Sequence, residues 1–249
     1  MKTAKLSPTR TIAQIAVFSA FSILLYLVPI FKFPLPFIFP VWLEFHFSDM
    51  PAILAGFMMG PWQGVAVLVV RALIKFTALD LGGIVGILAD FLCGLAFVLP
   101  SSLIYKRFRT KKGAIIALLV GCVATTVMSI IANYFILIPF YVNFFNGKTG
   151  DGWGTIMGMF NQLFPQATKD TFFLFYIFLS VIPFNLLRSL ICSLITFLIY
   201  KRLQRFFNFI FATKKSKKTE KVEDVCDKTQ QNEEENVNKI ENETIKTEE

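Results

Sequence analysis

The chain carries few groups that could do chemistry, and four of them lie where polar groups are costly. Asp90, Asn133, Asn185 and Arg188 fall inside long apolar segments. Burying such a group unpaired costs roughly 2–7 kcal/mol, so each needs a partner in the protein or a ligand. Asn185 and Arg188 are three residues apart and share a helical face, and Pro183 just before them loosens the backbone ladder. Asn133 opens the string NYFILIP. An amide offers both donor and acceptor, which suits a lactam or imide edge, while a guanidinium suits carbonyl and hydroxyl oxygens. The same residues also have a plain use, Asn as interhelical glue and Arg snorkelling to the membrane surface.

A second polar group, Glu44, His46, Ser48 and Asp49, interrupts the apolar chain just before a short apolar run that ends at Gly60-Pro61. His46 is the sole histidine; beside Glu44 and Asp49 it could ligate a metal, but a surface or mouth position fits better. Ser48-Asp49 reads as a helix N-cap. Asp80 and Asp90 are expected to pair with Arg71 or Lys75. Phe45, Phe47, Tyr134, Phe135, Phe140, Tyr141 and Phe184 either enclose a flat ring or face lipid. The chain has no GxxxxGK[ST], no HExxH and no paired-acid cluster. No residue is therefore expected to be catalytic, and no metal is expected.

The elements that must position these residues are membrane helices. Of the 249 residues, 55% are hydrophobic, 17% are charged and 29 are Phe. Soluble domains run near 45–50% apolar and about 25% charged. Residues 213–249 hold eight Lys and eleven acids, a net of −3, whereas the other 212 residues hold 17 basic and 6 acidic groups, a net of +11. The body reads as an integral membrane protein and the tail as a separate disordered segment. The basic residues cluster beside apolar segments, a topology signature rather than a nucleic-acid footprint. Four dispersed Cys, at 93, 122, 192 and 226, give neither a disulfide framework nor a metal motif. The N-terminal apolar run is long and lacks a cleavage site, so it reads as a retained helix.

Charge parity sets the number of crossings. Lys2, Lys5 and Arg10, the KRFRTKK cluster at 106–112, and Lys201, Arg202 and Arg205 all belong on the cytoplasmic side. The signs agree only if residues 50–77 form two helices split at Gly60-Pro61. The expectation is an all-α bundle of six transmembrane helices near 11–31, 50–60, 61–77, 83–105, 113–140 and 171–205, with both termini cytoplasmic. Helix 2 is about 15 Å long and must be buried among the others. Residues 1–10 are then a cytoplasmic N-terminus, 11–205 the substrate-binding membrane domain and 206–249 a charged cytoplasmic tail. Residues 141–170 are expected to be a glycine-rich, mobile outer loop. In helix 1, Ala13, Ala16 and Ala20 place small side chains at spacings that allow another backbone to approach, either from within the bundle or from a partner.

The strings FSDMPAILAGFMMGPWQGV (47–65), GILADFLCGLAFVLPSSLIYKR (86–107), NYFILIPFY (133–141) and IPFNLLRSL (182–190) resemble the substrate-binding S components of energy-coupling factor (ECF) transporters. The likeness is to the riboflavin-specific type and covers about residues 10–205. It implies a six-helix subunit of a bacterial cell membrane, without ATPase activity of its own. Such a subunit binds riboflavin from outside and delivers it through a membrane coupling protein and two cytoplasmic ATPases. It implies ligand contacts at Asn133 and Asn185, with Arg188 where the family usually has Lys, and an aromatic enclosure from Phe45, Phe47, Tyr134 and Phe184. It implies that the alanine face of helix 1 docks on the coupling protein. His46 departs from the family pattern, which commonly has Asp there. The alternatives are an S component for FMN or another vitamin-like ligand, and a free-standing secondary carrier with Asp90 as its coupling acid.

Overall fold

The computed structural model describes residues 8–28, 30, 32–35, 38–40, 42–77, 83–200 and 202. The expected cytoplasmic tail and Asp80 lie outside the described residues. The order is α1 (Pro8–Leu27), β1 (Lys32–Pro34), β2 (Glu44–His46), α2 (Asp49–Met58), α3 (Pro61–Thr77), α4 (Gly83–Arg107), α5 (Lys111–Ala132), α6 (Ile138–Thr149), α7 (Gly152–Phe160), α8 (Phe172–Phe175) and α9 (182–200). A wide, π-type turn at Asn133–Leu137 joins α5 to α6, and another at Tyr176–Val181 joins α8 to α9.

Among the described residues, four continuous helical stretches are long and apolar enough to cross a membrane: Thr9–Leu27, Gly83–Arg107, Lys111–Thr149 and Phe172–Tyr200. Their outward faces carry exposed Val17, Phe21 and Leu24 on α1 and Ile116, Leu119, Val123 and Val127 on α5. A belt of this kind suits lipid rather than water. Helix α2 has 10 residues and α3 has 17. The pair forms a hairpin that packs against both α1 and α4.

The hairpin turns where the sequence predicted, at Gly60, whose φ is +130°. Only glycine adopts that backbone conformation without strain. The short helix 2 is buried along most of its length, as its length required.

Two expectations need correction. Residues 141–170 are not a structureless loop. Helix α6 runs on to Thr149, Gly150 ends it in a left-handed conformation (φ +79°), and Asp151 caps α7 by accepting from the Gly154 N–H at 2.8 Å. Nor is the fold purely helical, because β1 and β2 pair antiparallel, with Phe33 opposite Phe45. An aromatic core of Phe39, Phe45, Phe160, Phe172, Tyr176 and Phe184 joins this ribbon to α7, α8 and α9.

Far along α2, α4 and α9 from this core, Phe57 stacks on Tyr105 with ring centroids 4.3 Å apart, and the Tyr105 and Tyr200 hydroxyls share a hydrogen bond. All three rings are buried.

A Gly60→Val substitution forces a β-branched residue into the left-handed region and presses its Cβ on the Gln63 side chain. We expect a loss of about 1–3 kcal/mol, read as a lower thermal midpoint in detergent; an unchanged midpoint would contradict the strained turn.

Candidate functional site

The prolines explain the two wide turns. Pro139 and Pro183 have no N–H, and their rings crowd the carbonyl one turn back. The preceding residues shift register instead: the Ile138 N–H donates to Asn133 O, and the Ile182 N–H to Ile177 O, each five residues back. Asn133 begins one wide turn and Asn185 follows the other. Each side-chain amide donates to the carbonyl four residues earlier, Asn133 Nδ2 to Ser129 O at 2.8 Å and Asn185 Nδ2 to Val181 O at 2.9 Å.

These residues face a cavity of about 140 Å³. Its wall includes Trp42, Glu44 and His46 from the ribbon and its approach, Lys75 from α3, and Asp90 and Cys93 from α4. Asn133 and Tyr141 from the α5–α6 rod also line it, with Phe184, Asn185 and Arg188 from α9.

Beneath the cavity lies a desolvated ion cluster. Asp49, at 0% exposure, receives Arg71 Nη1 on Oδ1 at 2.8 Å and Arg188 Nη2 on Oδ2 at 2.9 Å. Asp90 receives Lys75 Nζ at 2.8 Å and Arg71 Nη2 at 3.3 Å on Oδ2. His46 Nε2 stands 3.0 Å from Asp90 Oδ1 and 2.9 Å from Arg188 Nη1, and its Nδ1 is 2.9 Å from Ser48 Oγ. Lys75 Nζ also lies 3.4 Å from the centroid of the Tyr26 ring. Gly94 leaves room for all this: a Cβ there would come within 3.2 Å of both Arg71 Nη2 and Asp49 Oδ1.

The cluster corrects three readings. Ser48 and Asp49 are not a simple N-cap. Ser48 makes no side-chain cap bond, and its hydroxyl accepts from Arg71 Nη1 at 2.8 Å. His46 is not at the surface; it is 5% exposed, within the cluster and on the cavity wall, which leaves the mouth position standing. Arg188 does not snorkel; Asp49 holds its head inside the bundle.

Asn133, Phe184, Asn185 and Arg188 come together at the cavity. Phe45 and Phe47 stack edge to face, 5.3 Å apart, with Phe45 also 6.0 Å from Phe184, so they back the wall rather than line it. Tyr134 does not join them. It is 44% exposed and packs on Phe135 and Phe173. Neighbouring helical residues point about 100° apart, so with Asn133 facing in, Tyr134 faces out.

Sequence reasoning missed Trp42, Tyr176 and the full extent of the cluster. Arg71 and Lys75, four apart on one helical face, were the signal for the cluster; among the many aromatics nothing distinguished Trp42 or Tyr176.

With fold and cavity described, the class is clear: residues 10–200 match the family described as "ECF transporter, substrate-specific component", and the chain belongs to it. It is 32% identical over 188 residues to the Riboflavin transporter RibU of Staphylococcus aureus (strain TCH60), spanning 76% of this chain and 88% of the relative. It is 27% identical to the Riboflavin transporter FmnP of Bacillus subtilis (strain 168), over 78% of this chain and 93% of that one. A solved structure, "Structure and mechanism of the S component of a bacterial ECF transporter", superposes with a TM-score of 0.61 at 30% identity, covering 81% of this chain and 99% of that one. The relatives are transporters, not enzymes.

Replacing Asp49 by Ala leaves two buried arginines without their shared carboxylate. We expect a loss of about 3–5 kcal/mol, and a smaller loss for Lys75→Met, because Asp90 keeps Arg71 and His46. Buried Cys93, Cys122 and Cys192 report unfolding through a thiol-reactive dye on heating. Equal midpoints for the two variants would contradict this ranking.

Proposed function

We propose that this chain is the riboflavin-binding subunit of an ATP-driven ECF importer in a bacterial cell membrane. The observation that carries this is the convergence of Asn133, Asn185, Arg188 and Phe184 on one cavity, in a chain whose relatives are named riboflavin transporters. Two amides and a guanidinium supply the mixed donors and acceptors that a flavin pyrimidine edge and ribityl chain require. Phe184, backed by Phe45 and Phe47, supplies an apolar wall for the tricyclic ring.

The chain crosses the membrane six times in this reading. The α2–α3 hairpin contributes two crossings whose polar content is hidden against α1 and α4, and both termini are cytoplasmic. Residues 11–205 form the binding domain and 206–249 a charged cytoplasmic tail, which binding does not need beyond about residue 215. The subunit has no ATPase activity and works with a membrane coupling protein and two cytoplasmic ATPases. Ala13, Ala16 and Ala20 lie exposed on α1, as a docking face requires.

Purified protein titrated with riboflavin should quench flavin fluorescence at micromolar concentration or below, with FMN as a competitor of separate affinity. Arg188→Met should weaken binding by roughly tenfold or more. An absence of binding by the wild type would overturn the substrate.

Ala16→Leu with Ala20→Leu should leave that titration unchanged while abolishing co-purification with the coupling protein. Intact co-purification would move the docking face elsewhere.

A further inference from the structure

Tyr176 lies outside the cavity wall, 1% exposed, yet its hydroxyl joins two residues that line it. Trp42 Nε1 stands 3.0 Å from Tyr176 Oη, which stands 2.6 Å from Asn133 Oδ1. We infer that Tyr176, held by Trp42, is a positioning residue that fixes which end of the Asn133 amide faces the ligand. It thereby sets the polarity of the ligand group accepted at that point. The inference deepens the riboflavin reading above and rests on it.

The polarity follows from the donor inventory. An indole N–H can only donate, so the Tyr176 oxygen accepts from Trp42 and its single proton is left for Asn133. The Asn133 atom it meets must then be the carbonyl oxygen. The other end of the amide meets Ser129 O, an obligate acceptor, at 2.8 Å, so that end must be Nδ2. Both ends are specified by partners that allow no choice, and a flip would break two buried bonds at once. One Nδ2 proton is taken by Ser129 O and the second remains. The second lone pair of Oδ1 also remains, so these two bonds fix where Asn133 offers its free donor and its free acceptor, and a ligand there must match that order.

The Tyr176 ring cannot swing away. It stacks on Phe172 at 5.3 Å between centroids and meets Phe160 edge to face at 5.9 Å. The relay also spans separate parts of the chain: Trp42 precedes β2, while Tyr176 and Asn133 each begin one of the two wide turns. The approach to the ribbon and the orientation of a cavity amide are thus linked through one hydroxyl.

The test is a double-mutant cycle on the full-length purified chain, read as riboflavin dissociation constants from fluorescence quenching. Tyr176→Phe alone should weaken binding roughly fivefold to tenfold. On an Asn133→Ala background the same substitution should cost less than about twofold, because the residue it acts through is gone. Additive losses would overturn the inference, since a merely structural tyrosine would cost as much on either background.

A ligand-free arm uses protein labelled with 15N in the asparagine side chains. The Asn133 amide pair, assigned by its disappearance in Asn133→Ala, should shift in Tyr176→Phe and by less in Trp42→Phe. An unmoved pair in both variants would overturn the inference. Failure of the wild type to bind riboflavin would instead overturn the substrate reading, and the amide resonances would then decide this inference alone.

Discussion

The structure depends on the Asp49 carboxylate. It has no exposure, in a bundle whose outer surface is hydrocarbon-like, and it holds two arginines from helices more than a hundred residues apart in sequence. A ten-residue helix has little stability of its own. Helix α2 stays in place because its first residue is tied to α3 and α9 and its far end is tied by Phe57 to α4. Pairing between the buried charges offsets a desolvation cost that none of them could meet singly. The same pairing carries the ion cluster to the floor of the cavity, so the fold's anchor and the site's electrostatic base are one group of side chains.

The prolines do the aiming. Each removes a backbone donor in the middle of a long rod, and each rod answers with one wide turn. The widening changes the face that the following residues present. Asn133, Phe184 and Asn185 all sit within a few residues of such a turn and reach the cavity, whereas Tyr134, one position on from Asn133, is carried to the outside. A regular helix through either proline would not supply this geometry.

Local chemistry made part of this legible in the sequence. The Gly60-Pro61 break, the short second helix and the pairing of Asp90 with Arg71 and Lys75 could be read because each follows from a residue's own limits: a positive φ, a missing N–H, an acid that must find a cation. Asn185 and Arg188 could be read because three-residue spacing on a helix fixes a shared face. The role of His46 could not. Its environment is assembled from α4 and α9, and nothing near residue 46 in sequence announces them. The helical extension to Thr149 was hidden by glycines that turned out to lie at its end and beyond. The ribbon was hidden by the prolines of 34–40, residues that seldom sit in a paired strand. Trp42 and Tyr176 were lost among the aromatics because selection of one ring among many is a matter of packing, not of composition.

The ring cluster of Phe57, Tyr105 and Tyr200 is buried and lies apart from the cavity wall, so it holds the bundle together without touching what the cavity contains. For a cavity in one rigid state the residence time is governed by the same contacts that give affinity. At an association rate of about 10⁷ M⁻¹s⁻¹, nanomolar binding implies an occupancy lasting on the order of minutes. Tight capture and rapid discharge are therefore incompatible in a single rigid state. Rapid discharge requires a second state of lower affinity, and the shift to it costs at least the difference in binding free energy between the two states.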